Sequence, residues 1–192
     1  MFFKAARFAM WILLNISYKI RVVGIENIPQ SGAFILCSNH FDSMDPAILT
    51  ISMKRRMYFM AKNELFVNFF SRQVFTWLGA FPVKRGSQDM QAYKKALSHL
   101  NIGNGLLVFI QGTRTMDFSQ AKKGAALFAL KTDAVLIPAG ITGSYKFRTR
   151  LDVCFGKPIP INEFKGKIIN TSLTDELTAV IVEAVKECCD AK

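Results

Sequence analysis

Two histidines, His40 and His99, carry nearly all the side-chain acid–base capacity this chain has near neutral pH. His40 stands in the stretch SNHFDSMDP (38–46), five residues before Asp45 and directly after the apolar run AFILC. On an α-helix, positions five apart are turned by about 140° and share no face. The two side chains can meet only if the helix has not begun at His40. Pro46 suits a first helical position and Asp45 an N-cap, which leaves room for a turn between them. In such a turn the Asp45 carboxylate would fix the imidazole tautomer and stabilise the imidazolium formed when the other nitrogen takes a proton. On spacing alone, a capping aspartate beside an ordinary loop histidine stands equally well. Ser43 is too close in sequence to serve as a nucleophile, and no G-x-S-x-G occurs. A base without a protein nucleophile points to a hydroxyl that the substrate supplies. His99 falls within a helical stretch and reads as structural.

Two further polar stretches suit an anion. In QGTRT (111–115), Gly112 permits close backbone approach, Thr113 offers a hydroxyl, and Arg114 a guanidinium fork matched to phosphate. GAFPVKR (79–85) ends in the cationic pair Lys84 and Arg85. Each alone reads as solvated surface charge. Their convergence with the His40 loop on one cleft is the hypothesis the fold must test.

The elements that would position these loops alternate along the chain. Short continuous apolar runs at 20–24, 33–37, 57–61, 106–110, 134–140 and 151–155 suit strands buried on both faces. Helical stretches lie at 46–53, about 64–78, 88–101, 119–131 and 172–189. The last opens with SLTD, a capping-box pattern, and would turn Leu177, Val180, Ile181, Ala184 and Cys188 to the core. This order predicts a single α/β domain, 21–192, with a mostly parallel central sheet covered by helices. Active groups of such sheets gather where strands end. The three polar stretches lie at strand or helix ends.

The chain has 192 residues, 51% hydrophobic, with 17 Phe, 8 Met and a formal charge of +11. A basic balance favours polyanions, but no basic run or nucleic-acid reading motif occurs, so nucleic acid is not expected as a partner. Apolar and basic together fit an anionic membrane surface better. Residues 1–20 carry no small-residue cleavage site, and their longest uncharged run, 8–18, is eleven residues. That is short of the roughly 20 a spanning helix needs. Wound as a helix, Lys4, Arg7, Trp11, Asn15 and Tyr18 share one stripe, opposite Phe2, Ala5, Ala9, Leu13, Ile16 and Ile20. This predicts an amphipathic membrane-anchoring helix lying in the interface, with packing on its own domain as the alternative. The aromatic stretch 65–79 is a second candidate contact. Cys37, Cys154, Cys188 and Cys189 show no metal spacing and read as free thiols of a cytosolic protein.

Four blocks between about residue 33 and 141 stand in an order that resembles the 1-acyl-sn-glycerol-3-phosphate acyltransferases of the glycerolipid acyltransferase family. They are NHFDSMD, an N-H-x4-D pattern; GAFPVKR; FIQGTRT, where that family usually has F-P-E-G-T-R-S; and VLIPAG with Pro138. The resemblance implies acyl transfer from acyl-CoA or acyl-acyl-carrier protein to the hydroxyl of a lysophospholipid, with His40 as base and Asp45 as its partner. It implies acceptor-phosphate binding at Arg85 and Arg114, with Gly112 and Thr113 shaping the loop, and no metal or other cofactor. With the split faces of residues 2–20, the expected location is peripheral, on the cytoplasmic face of the cell membrane. Gln111 departs from the pattern, standing where the family has glutamate. Glutamine keeps the shape but loses the charge. This suggests another acceptor, such as glycerol-3-phosphate or a different lysolipid, or a catalytically weak lipid-binding member. If the carboxylate belongs in a cleft with the arginines, Gln111→Glu is expected to raise turnover.

Overall fold

The computed structural model describes residues 2–84, 89–115 and 117–191, with side chains from Ala5 onward. Seven strands form one sheet: β1 (Lys19–Val23), β2 (Phe34–Ser38), β3 (Met57–Lys62), β4 (Ala80–Val83), β5 (Gly105–Phe109), β6 (Val135–Gly143) and β7 (Arg150–Phe155). Their order is β1-β7-β6-β2-β5-β3-β4. Every neighbouring pair is parallel except β6 and β7. Parallel strands need crossovers, and six helices supply the cover: α1 (Phe2–Ser17), α2 (Asp45–Ser52), α3 (Phe69–Trp77), α4 (Met90–Asn101), α5 (Gly124–Lys131) and α6 (Thr171–Asp190). The expected mostly parallel α/β domain is the fold observed.

The continuous apolar runs are explained by two cores, one on each face. Alternate residues point opposite ways. Ile35, Cys37, Leu106, Val108 and Leu136 join residues of α4, α5 and α6 in one core. Phe34, Leu36, Leu107, Ile137 and Ala139 join residues of α1 and α2 in the other. A strand buried on both sides has no polar face to show. Gly140 of β6 sits where a Cβ would come within 2.5–2.6 Å of the Cys188 and Cys189 backbone, so only glycine lets α6 lie this close to the sheet.

Several boundaries differ from expectation, each for a local reason. Residues 80–83, read from sequence as loop, form edge strand β4. The stretch 64–78 divides into a 3-10 turn (Asn63–Phe66) and α3, because Asn68 caps α3 through the Ser71 N–H. The helix expected from 119 begins at Gly124. Asn170, not the SLTD box, caps α6 by accepting from the Leu173 N–H. Its buried face is Leu173, Leu177, Ile181, Val185 and Cys188, with Val180 exposed.

Helix α1 packs against α2 and α3. Leu14 is buried, and the Arg7 guanidinium donates to the Met53 carbonyl at the C-terminal end of α2, a favourable place for a cation. Arg7 and Tyr18 therefore face the body, so the predicted stripe is turned. The side chains of Phe2 and Lys4 lie outside those described. Phe8, Trp11, Ile12, Leu13 and Ile16 are exposed. So are Leu65, Val67, Phe69 and Phe70 on and before α3. All four cysteines are free thiols, and burial pushes Cys188 up to about 12.

Candidate active site

Because β2, β5, β3 and β4 are parallel neighbours, the loops after them emerge on one edge of the sheet. The His40 loop follows β2, the Gln111 turn follows β5, and Lys84 follows β4. The buried Asn39 side chain ties the first of these to β6: its amide donates to the Ile141 carbonyl and its oxygen accepts the Ile141 N–H, both at 2.8 Å. The side chain thus adds one rung beyond the ladder.

His40 and Asp45 meet as the spacing allowed. His40 Nδ1 lies 2.7 Å from Asp45 Oδ2. The same oxygen accepts the Phe41 and Asp42 backbone N–H groups at 2.8 and 2.9 Å. Asp45 is thus not the N-cap of α2. It is the first helical residue, ahead of Pro46, and its carboxylate turns back into the loop. Asp42 orders the same turn by accepting the Met44 N–H. Asp45 Oδ1 accepts the Tyr145 hydroxyl at 2.6 Å. A carboxylate surrounded by donors receives a hydrogen from Nδ1, which leaves Nε2 with its lone pair. Nε2 has no partner among the described residues. The imidazole is further held flat against Phe109, 4.0 Å between centroids at 17°. The imidazole is thus held by Asp45 and Phe109, with Nε2 left open. Ser43 only donates to Asp42 and takes no part.

The Gln111 turn lies directly beside His40. The Thr115 N–H donates to the His40 carbonyl at 2.8 Å, a bridge between the two loops. Gly112 makes the turn at φ 69°, donating its N–H to the Phe109 carbonyl. Gly112, Thr113 and Arg114 are exposed, and Arg114 has no hydrogen bond or ion pair among the described residues. A guanidinium without a protein acid beside it is available to an anionic ligand. Gln111 itself is 3% exposed and is turned inward. Its Oε1 accepts the His40 N–H at 3.1 Å, and its Nε2 donates to the Thr115 carbonyl at 2.9 Å. Sequence reasoning expected this position to face the arginines. It pins the two loops together instead.

Lys84 is exposed, and its backbone N–H donates to Asp89, which also caps α4. Hydrogen bonds from the Lys84 and Ala92 N–H groups lead in holding the Asp89 carboxyl below its usual range. A cavity of about 230 Å³ lies here, lined by Asn63, Lys84, Gln91 and Lys95 among others. Arg85, the other expected phosphate ligand, lies outside the described residues. His99 lies in α4, where its ring stacks on Tyr58 with centroids 3.7 Å apart, and burial followed by Lys95 and Arg56 lowers its pKa. The residues that sequence reasoning missed are Tyr145, Phe109 and the bridging role of Asn39. No motif marks Tyr145, which touches Asp45 across 100 positions of sequence.

The sequence matches the model of a family described as Acyltransferase over residues 19–142. A 1-acyl-sn-glycerol-3-phosphate acyltransferase of Bacillus subtilis (strain 168) is 29% identical over 136 residues, 70% of this chain and 68% of that protein. A protein of the same name from Streptococcus pneumoniae is 31% identical over 166 residues, 80% of this chain and 61% of that protein. In structure, the chain is similar to PlsC, the 1-acyl-sn-glycerophosphate (LPA) acyltransferase of Thermotoga maritima. The TM-score is 0.72 at 24% identity, over 99% of this chain and 80% of that one, a likeness of fold.

Proposed function

Because the chain belongs to the Acyltransferase family, we propose that it moves an acyl group from a thioester to the free hydroxyl of lysophosphatidic acid, giving phosphatidic acid in phospholipid synthesis. The single observation that carries this reading is the held His40–Asp45 pair, with Nε2 left open beside the Gly112–Arg114 turn. The names of the relatives supply the acceptor class.

In the reaction, Nε2 of His40 takes the proton of the lysolipid hydroxyl as its oxygen attacks the thioester carbonyl. The carbon–oxygen bond forms, and the tetrahedral intermediate collapses by breaking the carbon–sulfur bond. The imidazolium, stabilised by Asp45, then returns its proton to the leaving thiolate. Arg114 holds the acceptor phosphate, with Lys84 after β4 and, from the sequence pattern, Arg85 as further cations. Gly112 and Thr113 shape that anion site. The donor is acyl-CoA or acyl-acyl-carrier protein, and these steps use no metal.

The reaction takes place at an anionic membrane surface, on its cytoplasmic face. No described helix is long and apolar enough to cross a membrane. The exposed Phe8, Trp11, Leu13 and Ile16 of α1, with Phe69 and Phe70 of the adjoining α3, form an apolar contact. A formal charge of +11 adds attraction to anionic headgroups. A catalytically weak lipid-binding member was the alternative, resting on Gln111. The two hydrogen bonds Gln111 makes to the loops around the base favour a working site.

The test is acylation by purified protein on anionic vesicles, with each donor supplied separately. Lysophosphatidic acid, glycerol-3-phosphate and other lysolipids serve as competing acceptors. Phosphatidic acid formed with either donor supports the reading. Preferred use of another acceptor, or no acylation with both donors, would overturn it.

A further inference from the structure

Tyr145 fills the last open place around Asp45. His40 and two backbone amides occupy Oδ2, and the Tyr145 hydroxyl takes Oδ1. The residue lies on the loop 144–149 between the antiparallel strands β6 and β7, where neither strand ladder nor helix fixes it. It is held by rings instead. Tyr18, just past α1, meets it edge-on at 5.4 Å, and Phe41 of the His40 loop packs at 5.2 Å. The loop is anchored to α1 by the Arg148 N–H, which donates to the Ser17 carbonyl. Thr149 closes it by donating to the Ser144 and Lys146 carbonyls.

We propose that Tyr145 is a positioning residue for the base, acting on His40 through Asp45. This rests on the acyl-transfer reading of His40. The phenol does two things. It stops the carboxylate rotating out of line with Nδ1, and it draws negative charge toward Oδ1. Burial, then the bond to Asp45 and its charge, hold the Tyr145 hydroxyl far above its ordinary range, so it remains a donor wherever the enzyme works. The other titratable groups acting on this cluster are Asp42 of the His40 loop and Tyr18. The β5 side presents Phe109, Gln111 and Thr115, which do not titrate, and the turn they begin carries Arg114.

Removing the hydroxyl makes the Asp45 charge act more fully on His40. The imidazolium is then favoured, and a higher pH is needed to free the base. Tyr145→Phe keeps the ring contacts and removes only the donor. The expected result is a fall in kcat of about tenfold, with acceptor KM within about twofold. The acidic limb of kcat/KM should move up by about half a pH unit. In an Asp45→Asn background the same substitution should cost less than about twofold, because its route to His40 is already cut. An unchanged rate, a limb that does not move, or a full cost in the Asp45→Asn background would each overturn the proposal. A His40→Ala control separates the two levels. An inactive His40→Ala beside an unaltered Tyr145→Phe sinks only the role of Tyr145, whereas an active His40→Ala sinks the acyl-transfer reading.

Discussion

Replacing Gln111 by glutamate is the substitution for which sequence and structure make opposite predictions. If position 111 faced the arginines, a carboxylate would lock a guanidinium and raise turnover. In the structure the Gln111 Nε2 faces the Thr115 carbonyl at 2.9 Å, at a residue only 3% exposed. A glutamate there puts an oxygen against an oxygen. An ionised carboxylate loses one hydrogen bond and buries a charge short of a partner, a cost of about 2–4 kcal/mol. A protonated one restores the donor. The variant carboxyl should therefore have its folded pKa raised above the unfolded value of about 4.3. The sign follows. The defect is absent below that unfolded value, grows as pH rises, and is complete above the folded pKa. For a chain of this size the full cost corresponds to a drop in Tm of roughly 5–15 °C. We expect Gln111→Glu to unfold near the parent Tm at pH 4 and well below it at pH 8. Its turnover at pH 8 should fall by about tenfold, since the tie from the His40 loop to the Thr115 carbonyl is lost. Thermal unfolding at the two pH values, with acylation rates beside it, checks both. A variant equally stable at pH 8 and faster with lysophosphatidic acid would refute the inward placement of Gln111.

Arg114→Ala should raise the apparent KM for lysophosphatidic acid by tenfold or more while the thioester KM stays within about twofold. Arg114→Lys should restore only part, because an ammonium lacks the fork; a shift in the thioester KM instead would move Arg114 to the donor site. The double variant Phe69→Ser, Phe70→Ser changes side chains that are 79% and 78% exposed, so its Tm should match the parent. Its binding to anionic vesicles in a sedimentation assay should weaken by tenfold or more, as each inserted ring contributes on the order of 1–3 kcal/mol. Unchanged sedimentation would remove α3 from the membrane contact.

What was legible in the sequence was what short spacing decides. His40 and Asp45 are five apart, and the Pro46 helix start leaves them one geometry in which to meet. The strands were legible because burial on both faces removes polar residues from them. β4 was hidden by Pro82, which removes a ladder donor; it is tolerated because β4 is an edge strand, paired only with β3. The Asp45 carboxylate was misassigned as a cap because local pattern cannot show that loop amides lie behind it. Gln111 reaches its partner on His40 across 71 positions, and which side of the turn faces β2 is decided by strand order alone. The same holds for Tyr145. On α1, periodicity predicted two faces, but α2 offers its end carbonyl to Arg7 and so selects which one turns inward.

The central claim is that His40 is the general base of acyl transfer. It is tested most directly by the turnover of folded His40→Ala protein on vesicles carrying lysophosphatidic acid, with the donor that serves the parent. Loss of a positioned base predicts a fall of roughly 10²–10⁴ in kcat, with vesicle binding and Tm close to the parent. Turnover within a few-fold of the parent would contradict the account.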